Sequence, residues 1–183
     1  VEFDLGENMP AKIDFAKLTP ADALDLGVLM EEEARQRYID FAEMLEEVHH
    51  NHDAAAFCRA MVTTEERHGK QLWKQRHERY PDAPARVTAD MLYDVEAPGQ
   101  ENPSAFMTAR AAMLMALDAE KKAEAFFRGA IAGTLDAEVV TLFAELAEEE
   151  VDHQRMVREQ LAKLPTEGPL RRDDIADEPV GQD

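Results

Sequence analysis

The chain has 183 residues, and its 20 lysines and arginines stand against 39 aspartates and glutamates, a formal net charge of −19. That balance argues against a nucleic-acid backbone or an anionic membrane as partner, because both would be repelled, and it suits cations. With 45% hydrophobic residues the chain can bury one core, so a single folded domain is expected. Cys58 is the only cysteine, which excludes an internal disulfide, a thiolate zinc cluster and a CxxC iron site. No apolar run approaches the roughly 18 to 20 residues that span a bilayer, and VEFDLGENMP lacks the basic and apolar regions of a secretory signal. A cytoplasmic protein is the expectation.

Glycines and prolines are few and clustered, and the stretches between them are rich in strong helix formers, so the chain reads as all-α. Thr19, Pro20 and Asp22 form a helix start: a cap, a proline in the first turn and an acid behind it. Leu24, Gly27, Val28, Glu31, Ala34, Tyr38, Phe41, Leu45 and Val48 then recur at spacings of three and four, marking one inward face that ends near His49. Asn51 or Asp53 caps a second helix, which turns Phe57, Met61, Thr64, Glu65, His68 and Leu72 inward and stops before Pro81. Asn102 and Pro103 open a third helix with Met113, Leu117, Glu120, Phe127 and Ile131 inside, and Gly133 stops it. Asp136 caps a fourth, whose face holds Val139, Phe143, Leu146, Glu150, His153 and Val157, and which ends before Pro165.

The first two helices are joined by a short turn, as are the last two, while about two dozen residues from Tyr80 to Glu101 separate the pairs. Short links force antiparallel neighbours, and the long one lets the chain run the length of the bundle before starting again. The expected architecture is a four-helix bundle of two antiparallel hairpins joined by one long crossover, the ferritin-like connectivity. Within the crossover, TADMLYD is expected to form a helical turn. Residues 1–18 form an N-terminal extension, 19–164 the bundle and 165–183 an acidic tail, with both extensions packed loosely outside.

Glu31, Glu65, Glu120 and Glu150 fall on faces that the apolar periodicity assigns to the core. A buried carboxylate is costly unless a cation or a proton neutralises it. His68 follows Glu65 by three residues and His153 follows Glu150 by three, so each pair projects from one helix face. The halves also repeat: 89 residues separate Glu31 from Glu120, and 85 separate both Glu65 from Glu150 and His68 from His153. An aromatic follows the first glutamate of each half by seven residues, Tyr38 in one and Phe127 in the other. Two hairpins related by a pseudo-twofold would bring four glutamates and two histidines to one midpoint, the ligand set of dinuclear carboxylate bundles. A single ExxH pair is ordinarily a solvated ion pair; two in register, each with an upstream inward glutamate, point to metal.

MEEEARQRY (30–38), EERH (65–68), LDAEKKAEAFF (117–127) and AEEEVDH (147–153) resemble the rubrerythrin branch of the ferritin-like superfamily, a likeness covering about residues 20–163. The resemblance implies that Glu31 and Glu120 are terminal ligands, that Glu65 and Glu150 bridge two iron ions, and that His68 and His153 complete one ion each. It further implies that a diferrous centre is oxidised by peroxide or dioxygen, with Fe(II) as reductant or an external electron donor, in oxidative-stress defence or iron handling. Full-length rubrerythrins carry a C-terminal rubredoxin domain, where this chain has a cysteine-free acidic tail, and a further carboxylate of the third helix falls here on Ala123, with Glu124 beside it. Glu124 lies off the inward stripe and reads as solvated.

Mixed carboxylate and imidazole ligation suits iron, and manganese or zinc as well. Tyr38 could donate to a ligand or pass an electron, or be a core aromatic with its hydroxyl satisfied. His49, His50 and His52 read as a polar turn rather than an accessory site, Cys58 as a small core residue, Trp73 as helix packing, and Met107, Met113 and Met115 as core filling. Glu32, Glu33, Glu148 and Glu149 read as solvated surface that could draw ferrous ions inward. A homodimer is expected. The readings that compete with a di-iron oxidoreductase are an iron-binding or delivery module without turnover, a metal-free helical interaction protein, and manganese catalase chemistry.

Overall fold

The computed structural model describes residues 13–47, 50–92 and 108–166. Four helices dominate: α1 (Pro20–Glu47), α2 (His52–Arg79), α3 (Ala109–Gly133) and α4 (Ala137–Leu161). Each start carries its own chemistry. Thr19 accepts from the amide of Asp22 at 3.3 Å while Asp22 accepts from the amide of Thr19 at 2.8 Å, a reciprocal cap at the head of α1. The Asn51 side chain accepts from the amide of Ala54, and Asp136 from the amides of Glu138 and Val139. The choice left open between Asn51 and Asp53 is thus settled for Asn51.

One expected start moves. The helix that carries Glu120 begins at Ala109, because Thr108 is extended (ψ 158°) and its hydroxyl accepts from the amide of Ala111. Asn102 and Pro103, an equally good start signal in sequence, lie outside the described residues, as do Val48, His49 and Met107. Of the TADMLYD segment, Ala89–Leu92 form the expected helical turn.

Two apolar clusters fill the bundle, one above and one below a polar waist. One gathers Tyr38, Phe41, Leu45, Met61, Met113 and Val157, and the other Leu24, Met30, Leu72, Phe127, Phe143 and Leu146. Along α1 the chain passes from the second cluster through Glu31 to the first, and along α2 it returns through Glu65 and His68. Along α3 it again runs from the first cluster through Glu120 to the second, and α4 returns through Glu150 and His153. Helices α2 and α3 therefore point the same way, which requires the connection between them to travel the bundle's length: the ferritin-like crossover.

Gly27 lets three helices close up within the second apolar cluster. A Cβ there would stand 3.0 Å from Leu72 Cδ1 and 3.2 Å from Leu146 Cδ1, so α1 meets α2 and α4 side chains at a distance only glycine allows without adjustment. The described part of the N-terminal extension is held rather than loose: Phe15 packs on Phe126 with ring centroids 5.6 Å apart and lies against Gly133. The crossover is tied at its start by buried Arg76, which donates to the carbonyls of Tyr80 and Ala83 and pairs with Asp25 at 2.9 Å, and by Arg86, which pairs with buried Asp22. Among the described residues no helix is long and apolar enough to cross a membrane.

Candidate metal centre

Four glutamates from four helices meet at the waist, and each is nearly inaccessible: Glu31 4% exposed, Glu65 1%, Glu120 2% and Glu150 6%. The spacing of three between Glu65 and His68, and between Glu150 and His153, sets both imidazoles on the same side of their helices as the acids. The two rings stack, nearly parallel at 8° with centroids 5.3 Å apart. Every one of the six residues singled out by spacing therefore reaches the same interior point.

His153 Nδ1 stands 3.5 Å from Glu65 Oε1, 3.5 Å from Glu150 Oε2 and 3.6 Å from Glu120 Oε2. These separations exceed an ordinary N–H···O bond. Ligand atoms each about 2.1 Å from a metal stand about 3.0 to 3.4 Å from one another, so a common ion would need these groups to draw in by only a few tenths of an ångström. His68 Nδ1 faces Glu31 Oε2 at 3.9 Å and Glu149 Oε2 at 3.8 Å. Glu31 Oε2, both oxygens of Glu65, Glu150 Oε2, His68 Nδ1 and both nitrogens of His153 are buried without a hydrogen-bond partner. Such orphaned groups are rare in folded proteins and call for an occupant.

Among the described residues three sets offer donors within 4.8 Å of one another: Glu65, His68 and His153; Glu31, His68 and Glu149; and Glu120, Glu150 and His153. Glu65 thus shares a set with both histidines, while Glu31 goes with one and Glu120 with the other. Hard carboxylate oxygens with borderline imidazole nitrogens are a donor set that fits divalent iron, manganese or zinc. The residues present can hold metal.

The electrostatics describe a cluster short of positive charge. Burial pushes the Glu65 carboxyl up to about 10, with the charges of Glu120 and Glu31 adding to it and His153 opposing. Burial likewise brings Glu31 to about 7 and holds Glu150 well above the usual carboxylate range. Glu120 goes the other way: burial alone would raise it, but the neighbouring His153 and Glu150 and the hydrogen bond from Tyr38 keep it low. For His153 burial is outweighed by Glu120, Glu150 and Glu65, which lift it to about 11. His68 is lowered to about 4 by burial first, then by the positive charges of His153 and Arg67.

Tyr38 belongs to this centre without facing its middle. Its hydroxyl donates to Glu120 Oε1 at 2.5 Å across the two hairpins. Burial and the Glu120 charge hold the phenol far above its usual range, so it remains a neutral donor. It acts through Glu120 and is a positioning residue, a core aromatic with its hydroxyl satisfied by a carboxylate of the cluster.

Two surface readings change. Glu149 is half-exposed rather than fully solvated and faces His68, because the side of α4 next to the inward stripe borders α2 there. Trp73 is 54% exposed and stacks on His77 with centroids 3.8 Å apart, so it does not serve as packing within the chain; α2 turns that face outward. A third changes in part: Glu124 is 24% exposed rather than solvated, pairing with Arg128 and accepting from buried Gln154. Other readings stand. Ala123 is buried, and His52 pairs with Glu46 in the turn. Cys58 is buried in the core, its thiol pushed up to about 12 by burial.

A crystal structure of an uncharacterised conserved protein from Magnetospirillum magnetotacticum MS-1 superposes with a TM-score of 0.70 at 26% identity, covering 83% of this chain and 99% of that one. No curated protein matches significantly. The rubrerythrin family model matches residues 22–161, which take in both hairpins and all six converging residues. On that match, and on a waist of buried carboxylates and imidazoles carried by four helices of ferritin-like connectivity, the chain belongs to the rubrerythrin family.

Proposed function

We propose that the chain is a non-haem di-iron oxidoreductase that oxidises Fe(II) with peroxide or dioxygen, and that Glu31, Glu65, His68, Glu120, Glu150 and His153 hold the two ions. The observation that carries this reading is the set of orphaned donors at the waist, spaced for cations and buried between two apolar clusters. Glu31 with His68 would serve one position and Glu120 with His153 the other, with Glu65 shared between them. The family resemblance adds Glu150 as the second shared carboxylate.

Bound iron would supply two electrons to a peroxide or dioxygen substrate. The chain's own residues provide the surroundings. Four carboxylates offset the four positive charges of two divalent ions, so a nearly neutral cluster can stay buried. Tyr38 fixes the rotamer of Glu120 through its hydroxyl and keeps one oxygen of that carboxylate occupied. The apolar clusters above and below exclude bulk water, which protects a reactive centre from side reactions.

Protein grown with iron is expected to hold about two irons per chain, and Glu65→Ala with Glu150→Ala to hold none; unchanged iron in the double variant would end the proposal. The alternative of an iron-binding or delivery module without turnover draws on the net charge of −19. Stopped-flow oxidation of the diferrous protein separates the two: repeated turnover with peroxide belongs to the enzyme, a single slow oxidation to the carrier.

A further inference from the structure

The six converging residues leave a question of access, since the four acids are at most 6% exposed and a hydrated cation cannot reach them directly. The set formed by Glu31, His68 and Glu149 differs from the other two in reaching the surface. Its side chains grade from 41% exposed at Glu149 through 12% at His68 to 5% at Glu31. The inner end is unpartnered: Glu31 Oε2 is buried, has no hydrogen-bond partner and lies 3.9 Å from His68 Nδ1, the same atom that Glu149 approaches from outside at 3.8 Å. Glu145, one turn before Glu149 on α4, is exposed and adds its charge at Glu149.

We propose that Glu149 is the entry carboxylate of the metal centre: with His68 and Glu31 it forms a transient site that takes a divalent cation from solvent and hands it to the buried ligands. The proposal rests on the di-iron reading above. Its chemistry is stepwise ligand exchange. Glu149 replaces a water of the hydrated ion at the surface, His68 Nδ1 replaces another as its proton passes to solvent, since Nε2 already accepts from Arg67 Nη2 at 3.1 Å, and Glu31 receives the ion with a donor that already belongs to the interior set. Each step exchanges one oxygen or nitrogen donor for another, so the ion is never stripped of ligands in an apolar surrounding. No electron transfer is involved. Glu149 is released once the ion is within, which fits a carboxylate that is half-exposed and free to turn outward.

The test is metal loading of the apoprotein with Co(II), read by the visible absorption of the bound ion in a stopped-flow instrument, with no turnover required. Glu149→Gln keeps the shape and removes the charge, and Glu148→Gln makes the same change on the neighbouring exposed residue, whose partner is Arg128. The expected result is that Glu149→Gln loads about tenfold or more slowly, within the range by which local charge alters cation on-rates, yet finishes with two ions and the wild-type spectrum, while Glu148→Gln loads like wild type. Loading of Glu149→Gln at the wild-type rate would overturn the proposal, and so would equal slowing in both variants, which would reduce the effect to general surface charge. A changed final spectrum or stoichiometry in Glu149→Gln would also overturn it, by making Glu149 a resident ligand. If the wild-type protein itself takes up no pair of ions, it is the di-iron reading that fails.

Discussion

His68 and His153 stack almost parallel, 5.3 Å apart, yet their surroundings drive them to opposite charge states. Carboxylates gathered round His153 lift it to about 11, whereas burial and the neighbouring positive charges lower His68 to about 4. Two residues at equivalent places in the repeated hairpins therefore differ in the metal-free protein: one is a cation that partly neutralises the waist, the other a neutral imidazole. A divalent ion arriving at His68 meets a neutral imidazole whose Nε2 accepts from Arg67 Nη2 at 3.1 Å, so Nδ1 has one proton to give up, while at His153 the ion must displace a proton from an imidazolium.

That asymmetry and the raised acids give the metal-free protein an unusual pH dependence. Glu65, held up to about 10 against an ordinary 4.5, keeps a proton in the folded state that the unfolded chain gives up, so its contribution is complete below 4.5 and is lost progressively as pH rises to 10. Glu31 loses its contribution between 4.5 and about 7, and His153 between 6.5 and about 11. His68 acts in the opposite sense, and only below 6.5, where the unfolded chain takes up a proton that the folded one refuses until about 4. From pH 6.5 to 9 the urea midpoint of the metal-free protein is expected to fall, and metal uptake in the same range to release protons and tighten. A midpoint that rises with pH would contradict the burial of these acids as unpaired groups.

Replacing Glu65 by methionine removes two orphaned oxygens and leaves a side chain of similar size between two apolar clusters. A buried polar group without a partner costs about 1 to 3 kcal/mol, a cost that an apolar side chain of the same shape does not carry. Glu65→Met is expected to melt higher than the wild type without metal and to gain nothing from added Fe(II), whereas the wild type gains about 2.7 kcal/mol at a metal concentration one hundred times its Kd. Thermal melts with and without the metal check both halves.

Tyr38→Phe takes away the donor to Glu120 Oε1 and leaves that buried oxygen without a partner. The expected loss is about 1 to 3 kcal/mol of stability in the metal-free protein and about 10- to 100-fold in metal affinity, the usual effect of removing a group that orients a ligand. Denaturant unfolding and Co(II) titration measure the two separately. Unaltered affinity would mean that Glu120 needs no help in finding its position.

Asp22 joins the cap of α1 to Arg86 of the crossover, and it is only 2% exposed. Asp22→Ala removes the acceptor for the Thr19 amide, one half of the reciprocal cap, and leaves Arg86 without this partner, with an expected cost of about 1 to 2 kcal/mol. Hydrogen exchange should show faster opening around residues 84–92 and little change at the waist.

Much of this protein is written in local sequence. Caps at Thr19, Asn51 and Asp136, the apolar spacing between them and the unequal connection lengths are short-range signals, and they suffice for four helices and their crossover. The six acids and imidazoles are legible for the same reason: spacing along a helix fixes the face on which a side chain emerges, and the offset of 85 residues repeats the pattern. What tertiary structure alone decided concerns the seams between helices. Glu149 sits about 100° round the helix from Glu150 and looks solvated in one dimension, but α2 brings His68 to that side. Tyr38 finds Glu120 rather than any residue near it in the chain, and Trp73 is left outside although its helix is amphipathic. The protonation states of the waist were also beyond the sequence, because they depend on burial and on distances between charges from four separate helices, and those quantities exist only once the bundle has closed.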